Sequence, residues 1–134
     1  EKGRAKKVKE TVTVSEQDFR NEYGRLFRRE DSRAWDEDQA MNEFFLGAQQ
    51  TWANNRLKSQ GHLFLNEVYE SLGYDHTPAG AVVGWIYDPD NPIHEGDSLV
   101  DFGMTKVLRR NAYGEMEEVT ALDFNVDGVI YDKI

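Results

Sequence analysis

The sequence predicts an α+β fold in which N-terminal helices pack on a C-terminal antiparallel sheet of about four strands. Three observations carry this reading. Apolar residues recur at intervals of three and four as far as Leu72; from Ala81 they gather in short β-rich runs; and two of the joints between those runs are Gly-containing and of hairpin length. Helices first and strands after is the α+β pattern. At 134 residues the chain is long enough for one domain with its own core. That domain is placed over residues 15–134, with helices over about 16–73 and strands over about 81–134. A basic leader, residues 1–14, precedes it as an extended or disordered segment.

Thr11 to Val14 has β character but little length. Ser15 and Asp18 resemble a capping box and start a first helix near Glu16. Phe19, Tyr23, Leu26 and Phe27 form its apolar stripe. Asp31 or Ser32 caps a second helix from about Arg33 to Ser59, with Met41, Phe44, Phe45, Ala48 and Trp52 as its core stripe. Gln60-Gly61 breaks it. Leu65, Val68, Tyr69 and Leu72 mark a third helix, and Gly73 stands where a left-handed residue closes a helix. Thr77-Pro78 caps a further helical turn. The strands expected after it are Ala81 to Tyr87, Leu99 to Leu108, about Glu117 to Asn125, and Val129 to Ile134. RNAYGE and VDG join the last three as hairpins, while the joint DPDNPIHEGDS is longer. Gly80 and Gly84 around Trp85 point to close backbone approach beside a buried ring.

Composition excludes several function classes. Without Cys there are no disulfides, thiolate metal sites or Cys nucleophile. No apolar run nears the roughly 20 residues that span a bilayer, and there is no signal-peptide pattern. Residues 1–65 carry 12 basic and 11 acidic side chains, whereas residues 66–134 carry 4 and 14. The acidic half repels phosphate, so no nucleic-acid partner is expected. The opening EKGRAKKVKE holds five basic residues and no Met, which suggests a trimmed or processed start.

Two motifs could carry chemistry. Asp123, Asn125, Asp127 and Gly128 match the first half of a D-x-[DN]-x-[DN]-G calcium loop, where alternating oxygens converge on one cation. The twelfth position is Ile134 instead of a bidentate carboxylate, and the bland reading is an Asp-Gly hairpin. Calcium is the one cofactor considered; otherwise none is expected. The turn from Asp88 to Asp97 gathers Asp88, Asp90, Asn91, His94, Glu95 and Asp97. Such groups hold hard cations or act as general acids and bases, but long turns also select Pro, Asp, Asn and Gly for backbone reasons. These six residues are the candidate interaction surface. No P-loop, nucleophile elbow or zinc-protease motif occurs, and no catalytic residue is assigned.

The runs FLNEVYESLGYDHTPAGAVVGW (Phe64–Trp85), VDFGM (Val100–Met104) and LDFNVDGVIYD (Leu122–Asp132) resemble an uncharacterised family encoded by phages and prophages of Gram-positive bacteria. The resemblance covers roughly Phe19 to the C-terminus. It implies hydrophobic, membrane-inserted segments ahead of a soluble domain, with EKGRAKKVKE as the basic link. It supplies no activity and no catalytic residues. The expected function is therefore a non-enzymatic protein–protein interaction, as an accessory or virion-associated domain of phage or prophage origin. The rival readings are a calcium-binding or metal-dependent hydrolytic domain and an acidic inhibitor of a host protein. The expected partner is a protein of unknown identity, and a homo-oligomer is compatible with the composition. A membrane enters only through a segment ahead of Glu1. The expected location is the cytoplasm, the virion or the cytoplasmic face of a membrane.

Overall fold

A computed structural model describes residues 19–134. The leader, the Thr11–Val14 strand and the Ser15/Asp18 capping box lie outside these residues. The class is α+β, with two α-helices and two three-stranded antiparallel sheets among the described residues. The expected single sheet of about four strands is thus corrected to two sheets. The chain divides into two compact units, 19–28 with 103–124 and 29–102 with 125–134.

In the first unit the strands are β1 (Arg25–Phe27), β4 (Thr105–Arg110) and β5 (Met116–Leu122), in the order β1-β5-β4. The β4–β5 hairpin is the expected one. Asn111 Oδ1 accepts the N–H groups of Tyr113 and Glu115, which folds the tip back on itself. Val107, Val119 and Ala121 form the buried face, against which Phe19 and Leu26 pack. The expected first helix is corrected over its described part: residues 19–27 contain no helix and end in β1. Asn21 Oδ1 takes the Tyr23 N–H in a local turn, and Leu26 then pairs with Ala121. A long-range strand pairing wins over the helical spacing.

The second unit holds α1 (Gln39–Gln60), β2 (His62–Phe64), α2 (Leu65–Ser71), β3 (Val83–Ile86) and β6 (Gly128–Val129), with sheet order β2-β3-β6. Strand β2 had no counterpart in the sequence reading. Helix α1 starts later than Arg33 because Ser32 is used elsewhere: its hydroxyl donates to Leu72 O at 2.6 Å and accepts from Ala34 N. The cap is Asp38, whose Oδ1 accepts Ala40 N–H.

The core stripe of α1 is also corrected. Asn42, Leu46, Ala53 and Leu57 are buried, while Met41, Phe44 and Trp52 are exposed. The inward side is rich in amides because it binds backbone. Asn42 pairs both ways with Asp36, Asn54 pairs both ways with Val100, and Gln50 Oε1 accepts Phe102 N–H. Residues 100–102 belong to no strand, so these amides supply the partners that a ladder would have given.

Helix α2 and its stop are as expected. Leu65, Val68, Tyr69 and Leu72 are fully buried. Gly73 is left-handed at φ 86°, and Tyr74 N–H returns to Tyr69 O at 2.8 Å. Thr77 Oγ1 accepts Gly80 N–H and opens the short turn Ala79–Ala81. Gly84 is required by close approach, since a Cβ there would collide with the Leu63 carbonyl across the β2–β3 pair. The expected VDG hairpin is corrected: β6 pairs with β3, Val129 opposite Val83, and not with β5. The expected final strand shrinks to β6 followed by a helical turn, Tyr131–Lys133. Residues 99–104 are likewise not strand, and β4 begins at Thr105.

Candidate functional site

Most of the acidic turn serves its own backbone. Asn91 Nδ2 donates to Asp88 Oδ2 at 2.9 Å and its Oδ1 accepts Ile93 N–H, while Ser98 Oγ accepts Asp88 N–H. Asp90 and Glu95 are exposed. Asp97 is exposed and accepts from Asn125 Nδ2 at 3.0 Å. His94 differs from the other five interaction candidates. Its side chain is only 13% exposed, and it faces inward with Nε2 3.9 Å from Asp127 Oδ2.

Asp127 therefore joins the acidic turn. The Ile86 N–H of β3 donates to its Oδ2 at 2.9 Å. Burial raises its pKa above the usual carboxylate value, and nearby Asp97 pushes the same way. The Ile86 N–H, His94 and Lys133 oppose the shift. His94 Nε2 is shielded from solvent and has no hydrogen-bond partner among the described residues. A cleft of about 310 Å³ lies beside the pair, lined by Ile86, Asn91, Ile93 and Lys133 among others. A carboxylate that resists ionisation beside an imidazole can exchange a proton, so general acid–base work is within its chemistry. Gly96 packs close against the pair, since a Cβ there would collide with the Asp127 carboxylate.

The three suggested calcium ligands are directed at different protein donors. Asp123 accepts Arg20 Nε at 3.0 Å and Arg20 N–H at 3.1 Å. Asn125 Oδ1 accepts Trp85 Nε1 and Asp101 N–H, both at 2.8 Å, and its Nδ2 donates to Leu99 O and Asp97. Asp127 holds Ile86. Among the described residues no group of three or more His, Cys, Asp or Glu is arranged to hold a metal ion, and no helix is long and apolar enough to cross a membrane.

The feature that sequence reasoning missed is the outward face of α1. Phe44 is 75% exposed, Met41 52% and Trp52 37%, and Ala48 between them is exposed. At 100° per residue these four fall within about 80° of arc. The spacing carries the signal, but periodicity alone places these side chains in the core. Apolar side chains gathered on one exposed arc mark a contact surface more often than singly scattered ones do.

No curated protein and no solved structure matches the chain. Residues 1–134 match the model of DUF6353, described as a family of unknown function, and the chain belongs to that family.

Proposed function

We propose that the chain acts without catalysis, by binding a protein through the outward face of α1. In this reading it is an accessory or virion-associated component of a phage or prophage, and the part of a membrane-tethered protein that stands clear of the bilayer. The observation that carries the proposal is the exposed arc of Met41, Phe44 and Trp52. Covering a side chain of this kind stabilises a complex by roughly 1.5–3 kcal/mol before association costs. The phage origin and the tether rest on the sequence resemblance alone. An apolar stretch of about 20 residues encoded upstream of Glu1 would support the tether.

The test is a photo-cross-linking residue placed at position 44 and, separately, at position 90, with exposure to light inside the cell. Covalent adducts from position 44 support the proposal. Adducts from neither position overturn it. Adducts from position 90 alone move the function to the acidic turn, as in an acidic inhibitor of a basic host protein. A second reading, a hydrolytic or metal-dependent centre, is favoured by the meeting of His94 and Asp127 beside a cleft. It requires that Asp127→Asn abolish a turnover without lowering stability.

A further inference from the structure

We infer that the occupant of the outward face of α1 is a second copy of this chain, its α1 laid antiparallel across the first. The inference rests on the interaction reading above and names its partner. Two features of the face select this occupant. The first is shape. Ala48, small and exposed, sits at the middle of the apolar arc, so the midpoint is low and open to a neighbouring helix. Phe44 and Trp52 stand four residues to either side of Ala48. A two-fold axis through Ala48 therefore sets Phe44 of each copy against Trp52 of the other. It also places Met41 opposite Asn55. Self-complementarity of this kind is what a two-fold interface demands.

The second feature is charge. Asp36, Glu37 and Asp38 lead into α1, while Arg56 and Lys58 lie in its last turns. Antiparallel pairing brings the acidic start of one copy to the basic end of the other, and the helix dipoles align favourably as well. A parallel pair would set like against like. One helix pair of 22 residues is about 33 Å long, which makes a small interface, so the association is weak and on the order of micromolar.

The test is the mass of the full chain in solution by analytical ultracentrifugation, from about 1 to 100 μM. The expected result is a monomer–dimer equilibrium that Phe44→Glu abolishes, with the melting midpoint unchanged when both proteins are compared at a concentration low enough for wild type to be monomeric. Glu37→Lys and Lys58→Glu each weaken the dimer at least about tenfold, roughly 1.4 kcal/mol. Together they invert both ends and restore it. Among the described residues Glu37 pairs with Arg29 on the surface at 2.9 Å, a contact worth little. A chain that stays monomeric at every concentration overturns the inference, as does a dimer indifferent to Phe44→Glu. If the monomer gives position-44 adducts to a different protein, the interaction reading stands without the second copy. If it gives only internal adducts to residues 1–18, both readings fall.

Discussion

Asn125 separates a structural clamp from a cation site most sharply, because the two predict opposite effects of one substitution. Its side chain makes four hydrogen bonds, between 2.8 and 3.0 Å, to Trp85, Asp101, Leu99 and Asp97. Asn125→Ala strands the Nε1 donor of Trp85, a fully buried ring, at a cost of about 1–3 kcal/mol. Asp101 is exposed, so its N–H recovers water and adds less, giving a total of about 2–4 kcal/mol. Asn125→Asp keeps both accepting contacts but loses both donors. It also places a second carboxylate at the position now 3.0 Å from Asp97. At that separation like charges repel by about 1.4 kcal/mol in water and several-fold more at reduced dielectric. Asn125→Asp should therefore cost about 1–3 kcal/mol at low salt, shrinking as salt rises, while the Asn125→Ala cost should not. The assay is urea denaturation followed by Trp fluorescence, at two salt concentrations, with and without millimolar calcium. In a working D-x-[DN]-x-[DN]-G loop Asp is as good a ligand as Asn. An Asn125→Asp variant as stable as wild type, whose midpoint calcium then raises, would refute the clamp.

The two faces of α1 make an equally direct comparison. Leu57→Ala, at a fully buried position, should cost about 2–5 kcal/mol; Phe44→Ala should stay within about 0.5 kcal/mol in the monomer. Equal costs in urea denaturation would show that the inner and outer faces are misassigned. For Asp127 the sign follows from a folded pKa raised above the unfolded 3.8. The stability associated with the protonated form is complete below 3.8 and is lost as pH rises through the higher folded value. Asp127→Asn removes the charge and keeps an oxygen for Ile86 N–H, so its melting midpoint should match wild type near pH 3 and exceed it toward pH 7. A gap of the opposite sign would mean that attraction to His94 and Lys133 outweighs burial.

What the sequence made legible is what its neighbours along the chain decide. Helix α2, its Gly73 stop, the Thr77 cap and the Asn111–Glu115 hairpin tip are each closed by hydrogen bonds spanning five residues or fewer. The crowding at Gly84 was legible because no other side chain suits backbone so close. The errors are nonlocal. Residues 25–27 took strand form to pair with β5, nearly a hundred residues on. Strand β6 passed over its neighbour β5 and paired with β3. His94 and Asp127, 33 residues apart, meet only because that pairing fixes where Asp127 lies; Asp127 N–H itself bonds Gly84 O at 2.8 Å.

The misreading of α1 has a different cause, and it bears on function. A helix is ordinarily assigned its core face by hydrophobicity, and by that rule Met41, Phe44 and Trp52 should be inside. They are outside, and several of the inward positions they would otherwise take have a task that apolar side chains cannot perform. Residues 100–102 run beside α1 with no strand partner, and Gln50 and Asn54 supply the donors and acceptors they need. Replacing either amide with Leu would leave buried backbone groups unpaired, at about 1–3 kcal/mol each. Part of the inner face, Gln50 and Asn54, is therefore constrained to be polar whatever lies outside, beside the apolar Leu46, Ala53 and Leu57. No such constraint operates on the outer face, where Glu, Lys or Gln would serve the isolated fold equally well and keep it dispersed. Phe at a position 75% exposed, one turn from an open Gly47-Ala48 step, adds nothing to the folding of α1. It costs solubility unless something covers it.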